Sequence, residues 1–239
     1  MHMNMASNPH TKPIYKILPA GPEDAEQVAA VGNKAFRTST LHEAMFPEEK
    51  AHLTPPEELR NWRTQRRAAF MRNERHLGFK AVLADQPDVI IGYVGWMKPG
   101  HFTRKQGLGS LVNGQAKSEP DPEASQSGPP ACMNAGIKQG LEAGLDRKRE
   151  QIWKDDSNFW YLAACGVDPD YQRQGIAGAL LRRGLEQADA QGLPAYLEST
   201  PEGAFLYPRF GFETLEIMEM LDGRYRTSIM IRRPKTDQS

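Results

Sequence analysis

Cysteine is almost absent from this chain of 239 residues; Cys132 and Cys165 are the only two. One lies in a Pro/Ser-rich stretch and the other in an apolar run, which argues against a disulfide framework. Long apolar runs are missing too. The longest, 159–167, is interrupted only by Gly166 and falls far short of the roughly 20 residues that span a bilayer. Neither sign of charge dominates, with Lys+Arg and Asp+Glu at 30 each. Global charge therefore points to neither a nucleic-acid coat nor an acidic partner. The 6 histidines are scattered, and no metal-ligand spacing is visible. Residues 1–13 are polar and lack the apolar core of a signal peptide. The expectation is a soluble, cytoplasmic protein with no membrane partner, the nucleus remaining open.

What is present suits one domain over 14–235, with tails at 1–13 and 236–239. An apolar strand is expected at 14–18. Pro22, Glu23 and Asp24 open a helix carrying Val28, Ala29, Ala35 and Phe36 at helical spacing. A second helix runs from Pro56 to about Arg72, with Leu59, Trp62, Ala69 and Phe70 on its apolar side. Arg60, Arg63, Arg66 and Arg67 lie on its other face, which reads as a solvated basic face. Strands at 78–84 and 89–97 flank a turn at 85–88 and form a hairpin. The 101–130 stretch is rich in Gly, Ser and Pro and reads as a flexible insertion. A helix follows from about 137 to 154, with Ile137, Leu141, Leu145 and Ile152 facing inward.

The C-terminal part carries the strongest pattern. The run at 159–167 reads as a strand buried on both faces. Ile176, Ala177, Leu180, Leu181, Leu185 and Ala188 then fit a helix. A strand at 195–199, a short helix near 204–210, and strands from 212 and over 226–232 complete the chain. Strand, helix, strand is an α/β unit with a locally parallel pair.

Between the buried strand and its helix stands Gln172-Arg173-Gln174-Gly175-Ile176-Ala177-Gly178. A turn into a helix start presents free backbone N–H groups at the positive end of the helix dipole, which suits an anion. Gly175 permits close backbone approach, Ala177 keeps the next position small, and Arg173 adds positive charge. A diphosphate fits this description. The Walker ending Gly-Lys-Ser/Thr and the G-x-G-x-x-G spacing are both absent.

The segment from Val167 to Ala177 resembles motif A of the GNAT acetyltransferase superfamily, whose core is Gln/Arg-x-x-Gly-x-Gly/Ala. It is similar to the version in ribosomal-protein alanine acetyltransferases, and 160–181 is also similar to puromycin acetyltransferase. Tyr196-Leu197-Glu198 and Tyr207-Pro208-Arg209-Phe210-Gly211-Phe212 resemble motif B. The resemblance is strong over 159–212, weak over 14–97 and absent from 101–130. It implies an α/β (α+β) fold with a mixed central sheet, splayed between the motif A and B strands and flanked by helices. It implies acetyl-CoA as co-substrate, with Cys165, Gly166 and Val167 lining the pantetheine arm. Gln172, Arg173, Gln174, Gly175, Ile176, Ala177 and Gly178 would hold the diphosphate.

Acetyl transfer to an amine requires loss of the amine's proton, because an alkylammonium (pKa about 10.4) is not nucleophilic. It also requires stabilisation of the carbonyl oxygen and a proton for the departing thiolate. Glu198, at a strand end, is the candidate base, directly or through a water; a solvated strand-end carboxylate is the plain alternative. Tyr207 is the candidate acid, against the alternative of a packing tyrosine. Cys165 reads as packing rather than an acetyl carrier. The region after Glu198 lacks the asparagine that several relatives place there and is shorter than in the ribosomal-protein enzymes, which counts against a protein N-terminus as acceptor. A pocket for the acceptor is expected from 36–46, with His42, Met45 and Phe46, and from 219–225. A small-molecule amine is the first expectation. A protein lysine or N-terminus, and a non-catalytic CoA-binding module, are the alternatives. A monomer or homodimer, without metal or nucleic acid, is expected.

Overall fold

The computed structural model describes residues 13–101, 128–154 and 156–234. Alternating apolar stretches in the first hundred residues become three antiparallel strands: β1 (Tyr15–Ala20), β2 (His76–Leu83) and β3 (Ile90–Met97). Between β1 and β2 lie α1 (Ala25–Phe36), the short α2 (Thr40–Met45) and α3 (Pro56–Met71). With six residues, α2 is too short to show a helical period in the sequence. Its start is marked by Ser39, whose hydroxyl accepts from the His42 N–H, an N-cap.

After β3 come α4 (Ala135–Trp153), β4 (Trp160–Val167), α5 (Ile176–Ala190), β5 (Ala195–Ser199), β6 (Glu213–Met220) and β7 (Tyr225–Arg232). Much of the expected insertion, 102–127, lies outside the described residues. The expected helix near 204–210 reduces to a 3₁₀ turn, Tyr207–Phe210, between other turns. The seven strands form one open sheet in the order β1-β2-β3-β4-β5-β7-β6. Among the described residues only β4 and β5 pair in parallel; the other pairs are antiparallel. The crossover between them is α5, as a parallel connection requires.

The sheet is covered on two faces. On the front, α1, α3 and α4 bury Val28, Val31, Phe70 and Trp153 against Tyr93, Tyr161, Tyr196 and Ile229. On the rear, α5 buries Ile176, Leu180, Leu181 and Leu185 against Val94, Trp96, Leu162 and Leu197. A Cβ at Gly184 would stand 2.2 Å from the Trp96 ring, so the absence of a side chain there lets α5 press onto β3. Helix α4 departs from expectation. Its buried residues are Gly144, Arg149 and Trp153, whereas Ile137, Leu141, Leu145 and Ile152 are only half-buried. A partnered arginine has taken the inner position that apolar spacing assigned elsewhere.

Candidate functional site

Strand β4 is not uniformly buried, contrary to its apolar sequence. Trp160, Tyr161, Leu162 and Val167 are buried, whereas Ala163, Ala164, Cys165 and Gly166 are half-open. The cause is the length of the pairing. β4 meets β5 only at Trp160↔Ala195, Tyr161↔Tyr196 and Leu162↔Leu197. Beyond that, β4 continues beside β3 as far as Gly92↔Val167, while β5 runs on beside β7 as far as Ser199↔Ser228. The two strands part, leaving the β4 backbone at 163–167 without a neighbour on that side. A register shift between Gly95 and Trp96 sets Ala163 outside the ladder, a bulge that re-aims the residues after it. Three small side chains and a glycine keep the opening clear.

The turn after β4 leads into α5 through two left-handed residues, Arg173 (φ 63°) and Gly175 (φ 87°). Gln172 Nε2 donates to Val167 O at 3.1 Å and ties the turn to the strand. The first N–H to find an acceptor within α5 is that of Ala179, on Gly175 O at 3.0 Å. Earlier N–H groups of the turn have no intrahelical partner, and no side chain caps the helix at Gly175. A Cβ at Gly175 would meet nothing within 4 Å, so open space lies in front of these donors. Gln174 Oε1 is buried there without a hydrogen-bond partner. Arg173 holds its guanidinium 5.4 Å from the Phe205 ring centroid. The result is a bare, positively polarised cradle at the end of the opening, fit for a diphosphate.

Tyr207 closes the rear of the opening. It is buried, with its ring edge-on to Phe212 at 5.8 Å between centroids. Burial, and secondarily Cys165 nearby, raise its pKa well above the usual phenol value. Burial likewise pushes the Cys165 thiol up to about 12. Both groups therefore keep their protons at neutral pH: Tyr207 can donate, and Cys165 is a thiol rather than a nucleophilic thiolate.

Glu198 is on the front, and its setting differs from an open strand end. Arg149 Nε donates to Glu198 Oε1 at 2.7 Å, and the Tyr161 hydroxyl donates to Oε2 at 2.8 Å. The Arg149 and Glu198 side chains are only 2% and 5% exposed. Arg149 also reaches Asp146 Oδ1 at 2.8 Å and the Tyr161 oxygen at 3.2 Å. His101 stacks on Tyr161 at 5.6 Å, and burial brings its pKa down to about 4. The sequence reading missed Arg149, Asp146, Tyr161 and His101. The partner of Arg149 lies 49 residues away, and no local spacing announces such a pairing. Of the residues expected around an acceptor, His42 and Phe46 come together in α2, with rings 5.1 Å apart. Met45 O accepts from Asn134 N at 2.8 Å, which ties α2 to α4. The 219–225 stretch is the β6–β7 hairpin end, where Arg226 pairs with Glu219 at 3.2 Å.

The sequence matches the model of the Acetyltransferase (GNAT) family over residues 135–212, which contain β4, the cradle, Glu198 and Tyr207. Over these residues the chain is similar to the GNAT acetyltransferase family. An uncharacterized N-acetyltransferase of Schizosaccharomyces pombe is 30% identical over 95 residues, 38% of either chain. The chain thus spans well under half the length of the curated relative it matches. The histone acetyltransferase HPA2 and related acetyltransferase from Corynebacterium glutamicum is similar in structure, with a TM-score of 0.54 at 19% identity, covering 96% of this chain and 100% of that one. A GNAT-family acetyltransferase from Streptococcus pneumoniae has a TM-score of 0.49 at 14% identity, covering 93% and 100%. The seven-stranded sheet, parting between β4 and β5, is the GNAT fold. Among the described residues no group of three or more His, Cys, Asp or Glu could hold a metal ion, and no helix is long and apolar enough to cross a membrane.

Proposed function

We propose that the protein transfers the acetyl group of acetyl-CoA directly to a primary amine of a small molecule. The observation that carries this reading is the opening between β4 and β5, with an uncapped helix start at one end and a protonated tyrosine at its rear. The backbone at Cys165, Gly166 and Val167 offers free ladder positions to the amides of the pantetheine arm. Residues 173–178 offer N–H groups to the diphosphate, and Gln172 fixes their turn. Acetyl-CoA supplies an activated acyl group on a good leaving thiolate. Tyr207, which burial keeps protonated, gives its proton to that sulfur.

Glu198 takes the proton of the amine. Both of its oxygens already accept one hydrogen bond each, but a carboxylate oxygen has a second lone pair. A relay through a water suits this geometry better than direct contact. Arg149 and Tyr161 fix the carboxylate in one orientation and keep it in place. Cys165, as a neutral thiol, takes no covalent part.

A small acceptor is supported by α4. This helix crosses the front of the C-terminal half of the sheet, with Gly144 against Met218 and Arg149 on Glu198. Lys148 pairs with Glu216 of β6 at 2.5 Å. A surface covered in this way leaves less room for an extended peptide than for a compact amine. Isothermal titration with acetyl-CoA, CoA and ATP tests the proposal. Micromolar binding of both CoA species and none of ATP is expected. Folded protein that binds no CoA would overturn it.

A further inference from the structure

The four arginines of α3 are not a solvated face. Arg60 is exposed, but Arg63, Arg66 and Arg67 are half-buried. Arg66 lies over Trp62 at 4.9 Å, and Glu142 of α4 is near enough to raise its pKa against the larger effect of burial. Arg63 and Arg67, one turn apart, are different. Arg63 rests on the Phe46 ring at 5.0 Å, and Arg67 on the rings of Phe70 at 5.7 Å and Tyr93 at 5.5 Å. Neither has a carboxylate within ion-pair distance among the described residues. Burial lowers the pKa of Arg63, opposed only by Cys132.

Half-burying two guanidiniums without counter-charges is costly. Aromatic contacts return about 0.5–2 kcal/mol each, and Arg67 also shares a hydrogen bond with the Tyr93 hydroxyl, but each planar fork carries several further N–H donors. Two such forks at i and i+4 on one helix match the geometry of a carboxylate or a phosphate. The surroundings add positive charge: Arg63 and Arg37 both lower the pKa of His42, after burial. Asp24, which acts on Tyr93, is engaged by Lys80 at 2.5 Å, and Glu142, which acts on Arg66, by Lys138.

Position links this pair to the transfer site. Tyr93, under Arg67, is the register partner of Gly166 at the opening, one strand spacing or roughly 4.8 Å away. Arg67 Nη2 lies 4.0 Å from where a Gly32 Cβ would stand, and one turn further along α1, Ala35 Cβ and Phe36 Cε2 lie 3.7 and 3.6 Å from where a Gly166 Cβ would stand. A helical turn rises about 5.4 Å. A molecule anchored at the arginines therefore reaches the opening with a spacer of several bonds.

We propose that Arg63 and Arg67 form an anion subsite that binds a carboxylate or phosphate on the acceptor, so that the substrate is an amine bearing an acidic group at its far end. This rests on the acetyl-transfer reading, since the ligand is the acceptor of that reaction. Matched pairs of amines test it: pentylamine against 5-aminopentanoate for the carboxylate, and ethanolamine against phosphoethanolamine for the phosphate. The acidic member of at least one pair should be preferred tenfold or more in kcat/KM, mainly through KM, and the arm that shows the preference identifies the group. Arg63→Gln/Arg67→Gln should erase the preference without changing acetyl-CoA affinity. Arg63→Lys/Arg67→Lys, which keeps the charge, should retain part of it. Equal use of both members in each pair, or a preference that survives the glutamine pair, overturns the subsite while leaving the transferase reading intact. If CoA fails to bind or no amine is acetylated, the transferase reading falls. The subsite is then judged by titration with inorganic phosphate: millimolar binding by wild type and none by the glutamine pair sustains it, and identical binding by both sinks it.

Discussion

Helices α4 and α5 lie on opposite faces of the same sheet and are built on opposite principles. The rear helix, α5, buries Ile176, Leu180, Leu181, Leu185 and Ala188, an apolar stripe of the usual kind, and leaves its N-terminus bare. The front helix, α4, buries a glycine, an arginine and a tryptophan and satisfies the arginine with Glu198, Asp146 and Tyr161. One helix is held by shape and exposes polar backbone for a ligand. The other is held partly by a buried charge pair that reaches the candidate base. The difference suggests that the rear face supplies the donor site and the front face the acceptor site.

The sharpest test of the rear side is Gly175→Val. The residue sits at φ 87°, where an L side chain costs about 1–2 kcal/mol, and its Cβ would fill the space before the cradle. Loss of measurable acetyl-CoA binding by titration is expected, with circular dichroism unchanged. Retained affinity would mean that the helix start is only a structural turn.

The front side is tested by Arg149→Leu. Removing one partner of a buried ion pair strands the other, at about 3–5 kcal/mol, read from urea unfolding. Arg149→Leu/Glu198→Leu should lie nearer wild type in stability than the single variant, because no charge is then stranded. A single-variant cost under about 1 kcal/mol would show that the pair is wetter than its geometry indicates, and the contrast between the helices would collapse.

Sequence legibility follows the same division. Helix α5, β5 and the motif around Gly175 were readable because apolar period and glycine placement are local signals. The expected strand at 159–167 matched β4 to within a residue, but its half-open middle is absent from the apolar pattern and is implied only by the family resemblance. Side-chain pattern does not encode how far two strands stay paired. The inner face of α4 and the burial of Arg63 and Arg67 were hidden for a related reason. A buried cation leaves no apolar period, and the groups around Arg149 and Arg67 come from remote segments. Charge on a helix was therefore read as solvent exposure.

Tyr207→Phe links the two faces, since it removes only a proton. Turnover should fall by about 10–100-fold, at or below the low end of general-acid contributions, with acetyl-CoA affinity unchanged in titration. The phenol is already protonated, its pKa raised by burial, so wild-type turnover should show no loss of this acid as pH rises through 8 to 9. Unchanged turnover in the variant would assign Tyr207 to packing.

The smallest effect is expected at the outer edge of α4, from Lys148→Ala. Lys148 and Glu216 approach to 2.5 Å, but their side chains are 25% and 45% exposed. Exposed pairs contribute roughly 0–1 kcal/mol and are screened by salt. The change in unfolding free energy should stay within about 0.5 kcal/mol and shrink further in 0.5 M salt, a condition set well inside the screening range. A cost rivalling that of Arg149→Leu would reverse the reading of α4. It would mean that the helix is tied to the sheet at its rim, where an approaching substrate could release it, rather than through the buried arginine that holds Glu198.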